Sequence, residues 1–154
     1  MKLCFILPGT EYSAYFLMTW TDLITKCAQR GHQIMVSQQP TRAECFTTCS
    51  DKFDAYMCIS PEVVFKPDDV FQLLESPHPV TGAVMVADGY GQLTCGRTME
   101  SMIHEHENDY IKVDRLDPSF VLIQDIPEGW NYTDPIPAHI DTKLRVGHRI
   151  TVVV

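Results

Sequence analysis

An apolar run, Ala55-Tyr56-Met57-Cys58-Ile59, ends on Ser60-Pro61-Glu62, and shortly afterwards Pro67-Asp68-Asp69 opens a stretch with apolar residues at Val70, Phe71, Leu73 and Leu74. The first run reads as a buried strand. Pro67 suits the first helical turn, where its missing N–H costs nothing, and two aspartates favour the positive helix start. Ser76-Pro77 then stops the helix. A strand followed by a helix of this kind is the unit of an α/β fold. In open α/β sheets the crevice beyond the carboxyl ends of the strands receives ligands, so an acid delivered there, Glu62, has few purely structural uses.

The rest of the chain keeps the same alternation of periods near 2 and near 3.6. A first strand is expected over Lys2 to Leu7, then a helix from about Tyr12 to Arg30 whose stripe is Tyr12, Tyr15, Phe16, Trp20, Leu23 and Cys27. Gly31 ends that helix. Gln33 to Ser37 is expected as the second strand, Thr41 to Ser50 as a short helix and Pro79 to Ala87 as a further strand. Beyond Asp88 the glycines at 89, 91 and 96 punctuate short strand-like pieces, with one or two helical turns over Met99 to His104. Tyr110 to Val113 and Phe120 to Ile123 read as strands. Pro127, Pro135 and Pro137 exclude regular structure until Ile140, and Arg149 to Val154 reads as the last strand. The expected fold class is therefore α/β, a mixed and mainly parallel sheet flanked by helices in one minimal domain over 1–154.

Charge and hydropathy narrow the classes of partner. With 20 acidic residues against 12 Lys and Arg, the formal charge is -8, which disfavours a polyanion held through phosphate contacts, so no nucleic-acid partner is expected. The opening run Leu3-Cys4-Phe5-Ile6-Leu7 is cut off by Pro8-Gly9, too short for a secretory core or a membrane span. A soluble, cytoplasmic protein is the expectation.

The six cysteines, at 4, 27, 45, 49, 58 and 95, read mostly as buried thiols. Cys45 and Cys49 fall on one helical face, but no second ligand pair has zinc-site spacing. In His104-Glu105-His106 alternate residues diverge on a helix, which reads as an exposed polar cluster.

The central stretch resembles nucleotide-sugar glycosyltransferases of the GT-A fold, particularly small phage and metagenomic members. There a strand reads roughly hydrophobic-Ile-Asp-x-Asp-hydrophobic-hydrophobic-Phe-x-Pro; here it is Ile59-Ser60-Pro61-Glu62-Val63-Val64-Phe65-Lys66-Pro67. Ser60 stands where the first aspartate would be, and Glu62 where the second, metal-binding one would be. A second match is Ile140-Asp141-Thr142-Lys143-Leu144-Arg145-Val146-Gly147-His148, which looks like the family's closing Asp…Val-Gly-His segment.

That resemblance implies a set of roles. The loop after the first strand, Pro8, Gly9 and Thr10, would hold the nucleotide base through backbone groups. Arg42, in Thr41-Arg42-Ala43-Glu44, partly matches a helix start that lies against the nucleotide, and an ordinary surface arginine is the alternative. Ser60 would border the nucleotide, while Glu62 and His148 would hold Mn²⁺ or Mg²⁺, completed by the diphosphate and water. The partner would be a nucleotide-sugar donor, with an unidentified acceptor hydroxyl. Glu128 or Asp134, beside Trp130 and Tyr132, would serve as general base; the alternative is that Trp130 packs under its loop and the acids face water. Two functions stay open at this point: a metal-assisted glycosyltransferase, or a degenerate relative that binds nucleotide, sugar or a protein without turnover. A flavodoxin-like or Rossmann domain is disfavoured, because Pro8-Gly9-Thr10-Glu11 lacks a glycine-rich phosphate fingerprint.

Overall fold

The computed structural model describes residues 1–49, 52–87, 92–93, 110–137, 142–145 and 151–153. The elements, in chain order, are β1 (Lys2–Pro8), α1 (Ala14–Gln29), β2 (Gln33–Gln39), α2 (Arg42–Thr47), β3 (Ala55–Ile59), α3 (Pro67–Leu74), β4 (Val80–Ala87), β5 (Gln92–Leu93), β6 (Tyr110–Lys112), β7 (Arg115–Leu116), β8 (Phe120–Ile123), β9 (Ile136–Pro137), β10 (Thr142–Arg145) and β11 (Thr151–Val153). The fold is mixed α/β.

The main sheet runs in the order β2-β1-β3-β8-β4-β10-β6. β1 pairs in parallel with both β2 and β3, and β4 in parallel with β10 and β11. Between these groups lies β8, antiparallel to β3 on one side and to β4 on the other, so β1 to β4 all point the same way. The expected co-directional strands are present, but β3 and β4 are not neighbours. A reversed strand separates them.

Alternation along the strands divides the core between the two faces of the sheet. Leu3, Phe5, Leu7, Met57 and Ile59 face α1 and α3, where they meet Phe16, Leu23, Val70 and Leu73. Cys4, Ile6, Tyr56 and Cys58 face α2 and the segment through residues 111–136, meeting Phe46, Ile111, Leu116 and Ile136. Both faces are covered, which is why β3 is apolar at every position.

The helix ends follow their sequence signals. Ser13 caps α1, its Oγ accepting the Phe16 N–H at 3.0 Å. At the other end Gly31 takes φ +79°, and its N–H and that of His32 satisfy the carbonyls of Ala28 and Cys27. The stripe differs at two residues: Tyr12 precedes the Ser13 cap and so lies in the loop, and Tyr15 is exposed, because a position directly before Phe16 is rotated off the face that Phe16, Leu23 and Cys27 present.

α3 begins at Pro67 as expected, and Asp69 closes its first turn by accepting the Lys66 N–H at 2.7 Å. Burial raises the Asp69 pKa against the pull of that N–H. Replacing Asp69 with Ala leaves the Lys66 N–H without its acceptor, and should cost about 1 kcal/mol, read as a lower urea midpoint with unchanged m.

The prolines at 135 and 137 do not exclude pairing. Ile136 and Pro137 form β9, antiparallel to β7 in a two-stranded ribbon. Proline is tolerated there because such a short edge leaves the N–H direction free. The closing segment also holds a strand, β10, where none was expected, and β11 occupies the central part of the anticipated last strand. The turns expected over Met99 to His104, the cluster His104-Glu105-His106 and Cys95 lie outside the described residues.

Candidate functional site

The loop leaving β1 is held by backbone bonds at the carboxyl end of the sheet. Gly9 donates its N–H to the Gln39 carbonyl at 2.9 Å, and its own carbonyl accepts from the Gln38 side chain. Tyr12 donates its hydroxyl to the carbonyls of Leu7 and Pro8 at 3.0 and 3.1 Å. Gly9 sits at φ +114°, and a Cβ there would lie 3.0 Å from Pro61 Cγ. The loops after β1 and β3 therefore touch, with Pro8 buried and Thr10 exposed.

Beyond β3 the chain turns at once. Ser60 donates its N–H to the Ser119 carbonyl at 2.8 Å, and Val63 donates to the Ser60 carbonyl at 3.1 Å. Pro61 and Glu62 form the outside of that turn. Glu62 is exposed and, with Pro61, Glu11, Tyr12 and Ser13, lines a hollow of about 460 Å³.

On the other face of the same edge, Arg42 opens α2 and donates from Nη2 to Ser60 Oγ at 3.0 Å. Ser60 is buried. The Arg42 Nε is buried too and has no hydrogen-bond partner, and no ion pair of Arg42 exists among the described residues. Its charge is felt nearby: burial pushes the Cys58 thiol up to about 12, while the guanidinium pulls the other way. The guanidinium is thus half-buried at the strand end, held by Ser60 through Nη2 and with its Nε enclosed.

Of the residues anticipated from sequence, Pro8, Gly9, Thr10, Arg42, Ser60 and Glu62 gather at this one end. Glu128 and Asp134 do not join them. β8 runs antiparallel, so Ile123 lies opposite Tyr56 and Val80 at the amino ends of β3 and β4, and the chain after it stays there. Gln124 and Asp125 donate their N–H groups to the Pro79 carbonyl, and Trp130 and Tyr132 pack on Phe46, at 5.7 and 4.7 Å between ring centroids. Glu128, Trp130 and Asp134 do share a hollow of about 240 Å³. It is a separate place, and Trp130 is committed to its loop, donating its indole N–H to the Asp134 carbonyl at 2.8 Å.

The pairing of Glu62 with His148 falls outside the described residues, since His148 is not among them. No group of three or more His, Cys, Asp or Glu able to hold a metal occurs among those that are. Glu62 and Glu11 alone do not make a metal centre. The part of the site that sequence reasoning missed is Glu11-Tyr12-Ser13: Tyr12 fits the α1 stripe, and only its place ahead of the Ser13 cap signals that it belongs to the loop. Among the described residues no helix is long and apolar enough to cross a membrane. No protein-family model, curated protein or solved structure matches the chain.

Proposed function

We propose that the chain binds the diphosphate of a nucleotide-sugar donor at the carboxyl ends of β1 and β3, as a glycosyltransferase of GT-A type that transfers the sugar to an acceptor hydroxyl. The observation that carries this reading is the Arg42 guanidinium, anchored on Ser60 and left with a buried, unpartnered Nε. A departing nucleoside diphosphate gathers further negative charge as the anomeric bond breaks, and a preorganised cation stabilises it more than the less highly charged donor. The Pro8-Gly9-Thr10 loop is locked by Gln38, Gln39 and Tyr12, which engage the Gly9 N–H and the Pro8 and Gly9 carbonyls, so a base would meet the Thr10 backbone on a loop that needs no further ordering.

Metal assistance belongs to the same reading in a limited form. Mn²⁺ or Mg²⁺ would take Glu62 from the described residues and the rest of its oxygens from the diphosphate, so metal and nucleotide would bind together. Arg42, not the ion, carries the charge argument here. A second reading, binding without turnover, is favoured by one specific observation: Glu128 and Asp134 lie at the amino ends of β3 and β4, away from this crevice. Among the described residues, the acids that line the strand-end hollow are Glu11 and Glu62, and either could act as a general base there.

Isothermal titration with nucleoside diphosphates, with and without Mn²⁺, tests the proposal. Arg42→Gln should weaken binding about 10- to 100-fold, the worth of a charge-assisted bond to phosphate. Glu62→Gln should remove only the metal-dependent part. Equal affinity of wild type and Arg42→Gln would overturn the assignment. Binding without release of free sugar or glycosylated product from a nucleotide-sugar panel would select the reading without turnover.

A further inference from the structure

Four of the cysteines crowd one side of the sheet, and two of them touch. Cys4, at 0% exposure in β1, places its Sγ 3.6 Å from the Sγ of Cys49, which follows α2 and is only half-buried. The two are 45 residues apart in sequence, and both are free thiols. Cys45 and Cys58 lie on the same face and are buried, while Cys27 belongs to α1 on the opposite face.

We propose that Cys4 and Cys49 form an oxidisable dithiol, a modification site closed to an intramolecular disulfide by small disulfides such as oxidised glutathione. The required movement is modest: a disulfide holds its sulfurs about 2.05 Å apart, so the two must close by about 1.5 Å. Cys49 can supply it, because it sits beyond the last turn of α2, where one hydrogen bond from its Sγ to the Cys45 carbonyl at 3.2 Å is given up.

Exposure sets the order of events. Cys49 is reached from solvent, and its thiolate attacks one sulfur of the oxidant, releasing one thiol and leaving a mixed disulfide on Cys49. Cys4 then attacks the Cys49 sulfur, its proton passing to the second thiol as that departs. Two protons and two electrons leave the pair, and one oxidant disulfide becomes two thiols. Burial first, and the neighbouring Cys49 second, raise the Cys4 pKa far above the ordinary thiol value, which keeps Cys4 out of the first step. The finished bond would fasten the far end of the helix that begins at Arg42.

The experiment uses the full chain, reduced, freed of reductant and treated with oxidised glutathione. It is then denatured in iodoacetamide and digested with trypsin and chymotrypsin, which cut at Lys26 and Phe46 and so part Cys4 from Cys27 and Cys45 from Cys49. The expected result is one linked peptide pair joining Cys4 to Cys49, two fewer alkylated thiols, and full recovery with dithiothreitol. Cys49→Ser should abolish the link and Cys95→Ser should keep it. A bridge from Cys49 to Cys45 or Cys95, a link between chains, a stable glutathione adduct on Cys49 with Cys4 still alkylated, or alkylation of every thiol would each overturn the proposal.

Discussion

Phe5→Ala should remove about 3–5 kcal/mol of stability, a large share of the roughly 5–15 kcal/mol that a domain usually has. Phe5 is fully buried in β1, the strand hydrogen-bonded to both β2 and β3, and Trp20 meets its ring edge-on at 5.0 Å between centroids. Truncation therefore opens a void against α1 at a place where the sheet on either side cannot collapse to fill it. Equilibrium urea unfolding followed by far-UV circular dichroism gives the number. Met18→Ala on the exposed side of α1, where Met18 is 73% accessible, should stay within about 0.5 kcal/mol of wild type. Equal losses from the two variants would contradict the placement of Phe5 in the core.

Gly9→Val should cost about 1–3 kcal/mol, and for two separable reasons. A β-branched residue at φ +114° is strained whatever space surrounds it. The new Cβ would also press on Pro61 Cγ, which sits on a turn held by Ser60 and Val63. A double-mutant cycle divides the two: combining Gly9→Val with Pro61→Ala should recover the contact part and leave the backbone part. Full recovery would mean that φ carries no penalty; no recovery would mean that the two loops do not touch. If the strand-end crevice binds nucleotide, Gly9→Val should lower that affinity as well, while Phe5→Ala should not at temperatures where the variant is folded.

The helices and the first four strands were legible because their signals are local. Gly31, Pro67 and Asp69 each act within one turn of the backbone, so their roles can be read from neighbours in the chain, whereas the Ser13 cap, which starts α1 at Ala14, is hidden inside a stripe that periodicity begins at Tyr12. The alternating and continuous apolar runs similarly announced β1 and β3. What stayed hidden was the place of β8 in the sheet. Phe120-Val121-Leu122-Ile123 says that a strand is buried on both faces, but nothing in its composition tells which edges it joins or in which direction.

The site suffered from the same limit. Pro8, Gly9, Ser60 and Glu62 could be grouped because all follow co-directional strands. Arg42 joined them through the short link from β2 into α2. Glu128 and Asp134 are grouped with them only by the family resemblance, and their position depends on the direction of β8, which periodicity cannot supply. Tyr12 was misjudged for a different reason. An aromatic residue one position ahead of a cap satisfies a helical stripe and a loop lining equally well, and only its hydroxyl bonds to the Leu7 and Pro8 carbonyls decide between them.

The reversed strand between β3 and β4 has a consequence for how the molecule comes into being. During synthesis β1, β2 and β3 emerge early and can pair at once, and α3 and β4 follow directly. The strand that joins β3 to β4 is made only after the chain has passed residue 116, so until then a nascent chain carries two apolar strand edges with nothing between them. Those edges invite a mispaired β3–β4 contact or capture by another chain. Phe120 to Ile123 must enter a gap between strands already made, a non-local closure of the kind that slows the folding of sheets.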